Sequence, residues 1–250
     1  MKKQLLILAL AGLAFTACEK DDAPNPQLLK KITEIDNGDT TTTNFSYDNN
    51  RRVSLIKSSD GTETKLSYFG NNLTTVENKM DSDNKTKLEI TYDGAKPKTA
   101  VYTIYEDNEL IEKYKYSYTL NSSNQIAEIL VKDSTNTNVI SKQVITYANS
   151  NISKIQSYLG TTLVSTQELT YGNKKSIFSN ARASYVVDVF LADLYAVNEV
   201  VKLKYTLADV SREITNTYIY DENGFPTSAN VSEKELPSGT PETSKLKFDY

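Results

Sequence analysis

The stretch Lys113-Tyr114-Lys115-Tyr116-Ser117-Tyr118 alternates between polar and aromatic side chains at every position. Successive side chains of a β-strand point to opposite faces, so a period of two predicts a strand with one buried face and one wet face. The segment 87–92 has the same pattern, with Leu88, Ile90 and Tyr92 on one side. Strands of this kind are therefore the units from which we expect the fold to be built.

One short motif recurs along the chain: an apolar or aromatic residue, any residue, a tyrosine, and then a turn rich in Asp, Asn, Ser and Gly. The marker tyrosines are Tyr47, Tyr68, Tyr92, Tyr118, Tyr147, Tyr171, Tyr220 and Tyr250. Self-similarity with a spacing of about 20–50 residues is typical of repeat architectures. A second short strand follows most of the turns, so each unit contributes two strands and two reversals.

These units predict an all-β fold, an antiparallel meander of repeated hairpins with roughly 14–16 strands. Asp60-Gly61 and Asn223-Gly224 supply the positive φ angles that tight hairpin turns require. Neighbouring strands twist relative to one another, so a sheet this wide must curl, split or close. We therefore expect a strongly curved sheet, and the sequence leaves open whether it closes into a barrel.

The marker tyrosines have two interpretations. Regularly spaced rings on one strand face can cover the sheet and bond through their hydroxyls at its rim. They can also form an aromatic ladder that stacks on sugar rings. Because the chain has no tryptophan, the structural interpretation is favoured.

The wide gap between Tyr171 and Tyr220 contains a different pattern. Apolar residues recur with helical spacing in the segment 179–198, namely Ala183, Val186, Val187, Phe190, Leu191 and Leu194. This periodicity predicts an amphipathic helix of about four turns, capped by Ser179 or Asn180. We expect the helix to plug the hollow of the curved sheet, with a lid or a partner-binding helix as the alternative.

Residues 1–17 have the features of an export signal. Lys2 and Lys3 precede an apolar run, Leu5 to Phe15, that is too short for a spanning helix, which needs ~20 apolar residues. The sequence Phe15-Thr16-Ala17-Cys18 resembles a bacterial lipobox, in which the cysteine becomes the lipidated first residue of the mature protein. Cys18 is the one cysteine of the chain, which suits attachment better than disulfide formation. An ordinary secretory peptide with a chance cysteine is the alternative.

The residues after Cys18 form a charged and proline-containing segment. Lys20, Asp21 and Asp22 resemble the signal that directs Bacteroidetes lipoproteins to the exterior face of the outer membrane, with a solvated charged tether as the alternative. We expect 18–28 to be the lipidated cysteine and a flexible tether, and 29–250 to be a single β-repeat domain.

Together, the lipobox, the short tether, the tyrosine-turn hairpins and the late helical insert resemble a family of Bacteroidetes surface lipoproteins of unknown function. Its members have hairpins like YD-repeats and a porin-like, curled β-sheet. The resemblance implies a fold and an outer-membrane address with a lipid anchor, and it carries no catalytic residues. A porin-like shape does not require a pore, because the alternate face of these strands carries Ser, Thr and Lys instead of a continuous apolar band.

The composition limits the chemistry. The chain has no histidine, so Ser-His-Asp and Cys-His catalysis is excluded, and a zinc site would have to use carboxylates alone. There is neither a P-loop nor a dinucleotide fingerprint, and we predict no cofactor and no metal site. The formal charge of −4 and the lack of a Lys/Arg block argue against nucleic acid as a partner. The segment 81–84 only faintly resembles a calcium loop, and we predict a turn there.

Two segments resemble the O-glycosylation signal of Bacteroidetes, Asp followed by Ser or Thr. They place candidate glycans on Thr40 and Ser134, both in predicted loops. Our leading hypothesis is a non-catalytic binding or scaffold module on the cell surface, with a glycan or a protein as its ligand. The alternatives are a glycan-binding accessory protein of a nutrient-uptake system and, third, a carboxylate-dependent hydrolase.

Overall fold

The structure, a computed structural model, describes residues 27–135 and 138–250, and sixteen β-strands account for most of them. The strands are β1 Lys31–Asp36, β2 Asp39–Tyr47, β3 Val53–Ser58, β4 Glu63–Phe69, β5 Asn72–Lys79, β6 Lys85–Asp93, β7 Lys96–Glu106, β8 Glu109–Leu120, β9 Ile126–Lys132, β10 Val139–Ala148, β11 Asn151–Leu159, β12 Thr162–Lys175, β13 Asn198–Leu207, β14 Val210–Tyr220, β15 Pro226–Leu236 and β16 Glu242–Asp249.

Every strand pairs antiparallel with the strands before and after it, and β1 pairs with β16, so the sheet is a closed barrel. The closing pair brings Ile32 opposite Phe248 and Lys31 opposite Asp249. The predicted all-β meander and its number of strands are confirmed. The sequence predicted only a strongly curved sheet, and the structure shows that this sheet closes into a barrel without edge strands.

A register shift marks the tyrosine motif in most units. The shifts fall between Ser46 and Tyr47, Ser67 and Tyr68, Thr91 and Tyr92, Thr146 and Tyr147, and Ile219 and Tyr220. In three units the residue left unpaired on the next strand is Ser or Thr, and its hydroxyl donates to a carbonyl across the shift: Thr74 to Ser67, Ser153 to Thr146 and Thr227 to Ile219. Bulges increase local strand twist, so the repeat itself helps to coil the sheet towards closure.

A meander barrel has two ends. The turns that follow the marker tyrosines all lie at one of them, which we call the tyrosine end, and the other hairpin turns lie at the far end. The long β12–β13 connection, residues 176–197, also lies at the tyrosine end. So does the entry of the chain, because the Asn180 side chain donates to the Gln27 carbonyl at 2.8 Å.

The hydrophobic core fills the tyrosine half of the barrel. Inward side chains of the strands, such as Leu66, Ile129 and Ile155, form one cluster with Val187 and Leu194 of the β12–β13 connection. The predicted position of this insert as a plug is therefore correct. The plug excludes water from one end of the barrel and supplies apolar contacts that the inward strand faces cannot make across so wide a ring.

The predicted four-turn helix over 179–198 is wrong. The connection contains one short 3₁₀ helix, Val189–Tyr195, and is otherwise irregular among the described residues. Asp188 is its N-cap, and its carboxylate accepts the backbone N–H of Phe190. The segment Val186-Val187-Asp188-Val189 has low helix propensity, because three of its four residues are β-branched. Tertiary contacts also occupy its backbone, since Tyr118 donates to the Val187 carbonyl.

Candidate functional site

The sequence-predicted site residues fall in two groups. Cys18, Lys20, Asp21 and Asp22 lie outside the described residues. Thr40 was predicted in a loop, but it lies in β2, because the turn before that strand is only two residues long. Ser134 lies in a turn, as predicted. Both candidate glycosylation residues are exposed at the far end of the barrel.

Five marker tyrosines pack in or against the core, and their hydroxyls donate to the backbone: Tyr47, Tyr68, Tyr92, Tyr118 and Tyr147. Four hydroxyls donate to a carbonyl 15–21 residues upstream: Tyr47 to Leu29 at 2.6 Å, Tyr68 to Val53 at 2.9 Å, Tyr92 to Leu73 at 2.8 Å and Tyr147 to Ile126 at 2.8 Å. Because these rings are covered and their hydroxyls are engaged, they do not form an exposed platform for sugars. Their geometry agrees with the structural interpretation, in which the rings cover the sheet and the hydroxyls bond at its rim.

The outer wall of the barrel is charged. Ion pairs join neighbouring outward side chains, as in Lys154–Glu168 at 2.9 Å and Lys87–Glu89 at 2.8 Å. Glu213 contacts two lysines on the strands beside it, Lys202 at 3.1 Å and Lys234 at 3.5 Å. The wall is therefore charged in the middle of the strands as well as at their ends.

The far half of the interior is polar and reached by water. Glu34 is opposite Leu246 of the core cluster across the closing pair, so both side chains point inward. Glu34 is nevertheless exposed. Arg212 is also inward and exposed, and it pairs with Glu233 at 3.0 Å. Inward side chains of a closed barrel are exposed only if water fills the space between them, so we call this space the lumen.

The plug forms the floor of the lumen. Phe190 belongs to the apolar face of the predicted helix, yet it is 89% exposed. Asp193 follows three residues later in the 3₁₀ helix and is also exposed. The floor thus presents an aromatic ring and a carboxylate to the water in the lumen, and neither role was foreseen from the sequence.

A cavity of about 270 Å³ lies where the floor meets the wall formed by β12–β14, β16 and β1. Its lining is mostly apolar and includes Ile32, Leu169, Leu203, Ile214, Leu246 and Phe248. Its polar lining residues are Asp193, Asn198, Glu199 and Asn216. An apolar pocket with a few polar groups is the usual form of a small-molecule site.

The surroundings of the floor favour acidic groups that are protonated or paired with a positive charge. Enclosure by the barrel raises the pKa of the Asp193 carboxyl, although its side chain still meets lumen water. Burial also raises the pKa of Asp188, which is only partly offset by the bond from Phe190 N–H. Burial raises the pKa of the Tyr118 hydroxyl, and the nearby Asp188 carboxyl raises it further. Negative charge on the floor is therefore costly.

Glu199 is the buried member of this group, at 4% exposure. Its Oε1 accepts the Tyr220 hydroxyl at 3.0 Å. Its Oε2 is buried without a hydrogen-bond partner among the described residues. Its Oε1 also abuts Gly172, so a Cβ at that position would overlap the carboxylate and displace it.

In the described part of the chain, no group of three or more Asp, Glu, Cys or His side chains is placed to hold an ion. The segment 81–84 is the predicted turn, and Asp81 Oδ1 accepts the N–H groups of Asp83 and Asn84. Among the described helices none is both long and apolar enough to cross a membrane.

The far rim has an apolar character of its own. Exposed apolar side chains occupy the tips of four successive hairpins, from β7–β8 to β13–β14. They are Leu110, Ile111, Val139, Ile140, Leu159, Leu163, Leu207 and Val210. Clustered exposed apolar residues are typical of contact surfaces.

Sequence reasoning missed the lumen and its floor. The signal for the far half was present, since inward positions such as Glu34 and Gln143 are polar where the period of two would place core residues. Glu199 and Asp193 gave no such signal. They become neighbours of one cavity only because the plug folds back into a barrel whose closure the sequence left open.

Comparisons with solved structures agree on the fold. The chain is similar to a porin-like protein from Bacteroides uniformis, with a TM-score of 0.56, 16% identity, and coverage of 88% of this chain and 96% of that one. It is also similar to a porin-like protein from Bacteroides vulgatus, with a TM-score of 0.52, 12% identity, and coverage of 90% and 99%. No family model matches the sequence, and a search of curated proteins finds no match. At these identities the likeness shows a shared barrel fold.

Proposed function

We propose that the chain is a non-catalytic lipoprotein of the bacterial cell envelope, anchored through Cys18, whose barrel stands in water and binds a ligand in its lumen. The observation that carries the proposal is the distribution of side chains in the barrel. Paired charges cover the outer wall, and the lumen holds a cavity with few polar groups. A wall of this kind suits water better than lipid, where a charged side chain at the midplane costs about 2–4 kcal/mol.

The address rests on two supports. The first is the resemblance of residues 15–18 to a lipobox and of residues 20–22 to a surface-export signal. The second is the set of fold neighbours, porin-like proteins from Bacteroides species. Since the chain enters the barrel at the tyrosine end, an anchor at Cys18 would hold the plugged end towards the outer membrane. The lumen would then open away from it, towards the exterior.

Lipidation is tested by labelling with radioactive palmitate in a Bacteroides host. Wild-type protein is expected to carry the label, to sediment with outer membranes and to be digested by protease added to intact cells. Cys18→Ala is expected to lose the label and the sedimentation. Sedimentation without label would overturn the anchor. Label without digestion would overturn the outward orientation and leave the anchor intact.

The water-exposed barrel has its own test, which does not depend on lipidation. Residues 18–250 with Cys18→Ser are expected to remain monomeric in buffer without detergent. Aggregation that detergent micelles reverse would show that the wall needs lipid.

Glycan binding in the lumen is the second candidate function. Tyr102 and Tyr116 stack there with ring centroids 5.8 Å apart, and Phe190 is exposed on the floor. If this second candidate is right, a glycan array gives hits that Phe190→Ala and Tyr102→Ala abolish. Hits that survive both changes would place the sugar elsewhere.

Absence of catalysis is tested by incubation with glycan and peptide mixtures, which we expect to remain unchanged. Turnover that Asp188→Asn or Asp193→Asn abolishes would instead identify a carboxylate-dependent hydrolase. We also propose glycans on Thr40 and Ser134, which would add mass to the intact protein that Thr40→Ala and Ser134→Ala remove.

A further inference from the structure

The buried carboxylate of Glu199 lacks a counter-charge. Neither Glu199 nor Asp193 forms an ion pair within the described residues, and Glu199 Oε2 has no hydrogen-bond donor there. A buried carboxylate is stable only when a cation or several donors compensate it. The single donor from Tyr220 satisfies one oxygen and leaves the other without compensation.

The position of Glu199 prevents it from relieving this deficit by moving outward. Gly172 lies directly against its carboxylate, and the neighbouring Val201 side chain closes the same side. Glu199 also lines the lumen cavity. The cavity is therefore the space from which we expect a compensating group to reach it.

The apolar lining of the cavity argues against a bare metal ion as its ligand. Divalent cations such as Ca²⁺ need six to eight oxygen ligands, whereas Ile32, Leu203, Ile214 and Leu246 offer hydrocarbon surface. Apolar walls with nearby carboxylates suit a ligand that carries a positive charge on one end and a short hydrocarbon chain on the other.

The charges around the cavity also favour a positively charged ligand. Arg212 is inward, but Glu233 already neutralises it at 3.0 Å. Asp193 stands beside the cavity, and Asp188 lies on the same floor. A carboxylate or phosphate ligand would meet several negative groups with no free cation beside the cavity among the described residues.

We propose that the lumen cavity binds a small organic ammonium ion, a primary amine with a short apolar chain. The ammonium group pairs with the carboxylates of Glu199 and Asp193, and the chain lies along Ile32, Leu203 and Leu246. This inference rests on the proposed function of the lumen as a binding site and names the class of its ligand.

The test is calorimetric titration of residues 18–250 carrying Cys18→Ser at pH 7 with three probes. The probes are n-hexylammonium chloride, hexan-1-ol, which has the chain without the charge, and ammonium chloride, which has the charge without the chain. Hexylammonium is expected to bind at least tenfold more tightly than either of the others. Equal binding of hexylammonium and hexanol would overturn charge recognition, yet it would leave the lumen a binding site.

Variants locate the charge. Glu199→Gln keeps the shape of the side chain and the acceptor for Tyr220, and it is expected to weaken hexylammonium binding at least tenfold. Glu168→Gln is the matched control, because Glu168 lies on the outer wall in an ion pair with Lys154, and binding should stay within twofold.

Asp193→Asn is the second variant. Because Asp193 is exposed, this change should not prevent folding, and the test remains decisive if Glu199→Gln fails to fold. This variant is expected to weaken binding at least threefold. No binding of hexylammonium at millimolar concentration, or binding that both variants leave intact, overturns the inference. If hexylammonium failed to bind while a glycan bound in the lumen with Phe190 as its contact, the proposed function would stand and the ammonium ligand would be overturned.

Discussion

Single tyrosine hydroxyls tie the ends of neighbouring hairpins together. Tyr92 ends β6 and donates to the Leu73 carbonyl at the start of β5, and Tyr68 makes the equivalent bond to Val53 at the start of β3. The β5–β6 ladder begins at Thr75 and the β3–β4 ladder at Leu55, so both carbonyls lie beyond the strand pairing on that side, and the hydroxyl gives them a donor. The residue that identifies the repeat in the sequence is thus the residue that completes its backbone hydrogen bonding.

Removing one such hydroxyl should therefore have a measurable cost. Tyr92→Phe keeps the ring and leaves the Leu73 carbonyl without its donor, so we expect the free energy of unfolding to fall by about 1–2 kcal/mol. Urea unfolding followed by circular dichroism measures it. Tyr158→Phe is the control, since that hydroxyl makes no hydrogen bond among the described residues, and its effect should stay within about 0.5 kcal/mol. Equal effects of the two changes would contradict the role given to Tyr92.

The same hydroxyls predict how stability depends on pH. Burial raises the pKa of Tyr47 and of Tyr68 from 10.0 to about 12, and burial raises the pKa of Tyr92 and Tyr147 as well. Above pH 10 the unfolded chain loses phenolic protons that the folded barrel retains. The stabilisation is therefore complete below pH 10 and is lost as the pH rises towards 12.

Each buried tyrosine should contribute about 1.4 kcal/mol of lost stability per pH unit in that interval. Urea unfolding between pH 8 and 11.5 is expected to show little change below pH 9.5 and a steep decline above pH 10. Tyr92→Phe should make the decline shallower by the share of one tyrosine. A decline of unchanged slope in this variant would show that the Tyr92 phenol is not protected from ionisation.

At the scale of elements, local pattern predicted the strands well and the plug poorly. Alternation fixes which face of a strand is buried, because the period is set by the backbone itself. The plug is shaped by what surrounds it. Its helical spacing placed Val187 and Leu194 in the core correctly, whereas Phe190 faces the lumen. An amphipathic spacing assumes that one face of a helix packs on a flat surface, whereas the barrel wall surrounds the plug. The sequence therefore could not predict the short 3₁₀ helix or the floor of the lumen.

Two substitutions in the plug lie close together in the sequence, but we expect them to have very different effects on stability. Leu194→Ala removes a side chain that is 5% exposed, and we expect it to lower the free energy of unfolding by about 2–5 kcal/mol. Phe190→Ala removes a larger side chain that is 89% exposed, and its effect should stay within about 0.5 kcal/mol. Thermal unfolding of both variants measures the difference. A larger loss of stability for Phe190→Ala would indicate that Phe190 faces the core and Leu194 faces the lumen, which would contradict this orientation of the plug.

At the scale of the whole molecule, closure makes the barrel one unit with two different ends. The β1–β16 pair joins the beginning of the meander to its end, and the plug and core occupy the tyrosine half. The far half remains a polar lumen beneath a rim with exposed apolar residues. The sequence predicted the curvature from the number of strands. It could not predict closure, since pairing of residues more than 200 positions apart leaves no local pattern.

Closure is tested most directly by hydrogen exchange of the backbone amides of β1 and β16, measured by mass spectrometry on residues 18–250. In a closed barrel both strands are bonded on both sides, so we expect Lys31–Asp36 and Glu242–Asp249 to exchange as slowly as interior strands such as β14. Fast exchange of alternate amides in both segments, with slow exchange in β14, would show two free edges. That result would contradict the barrel and, with it, the lumen.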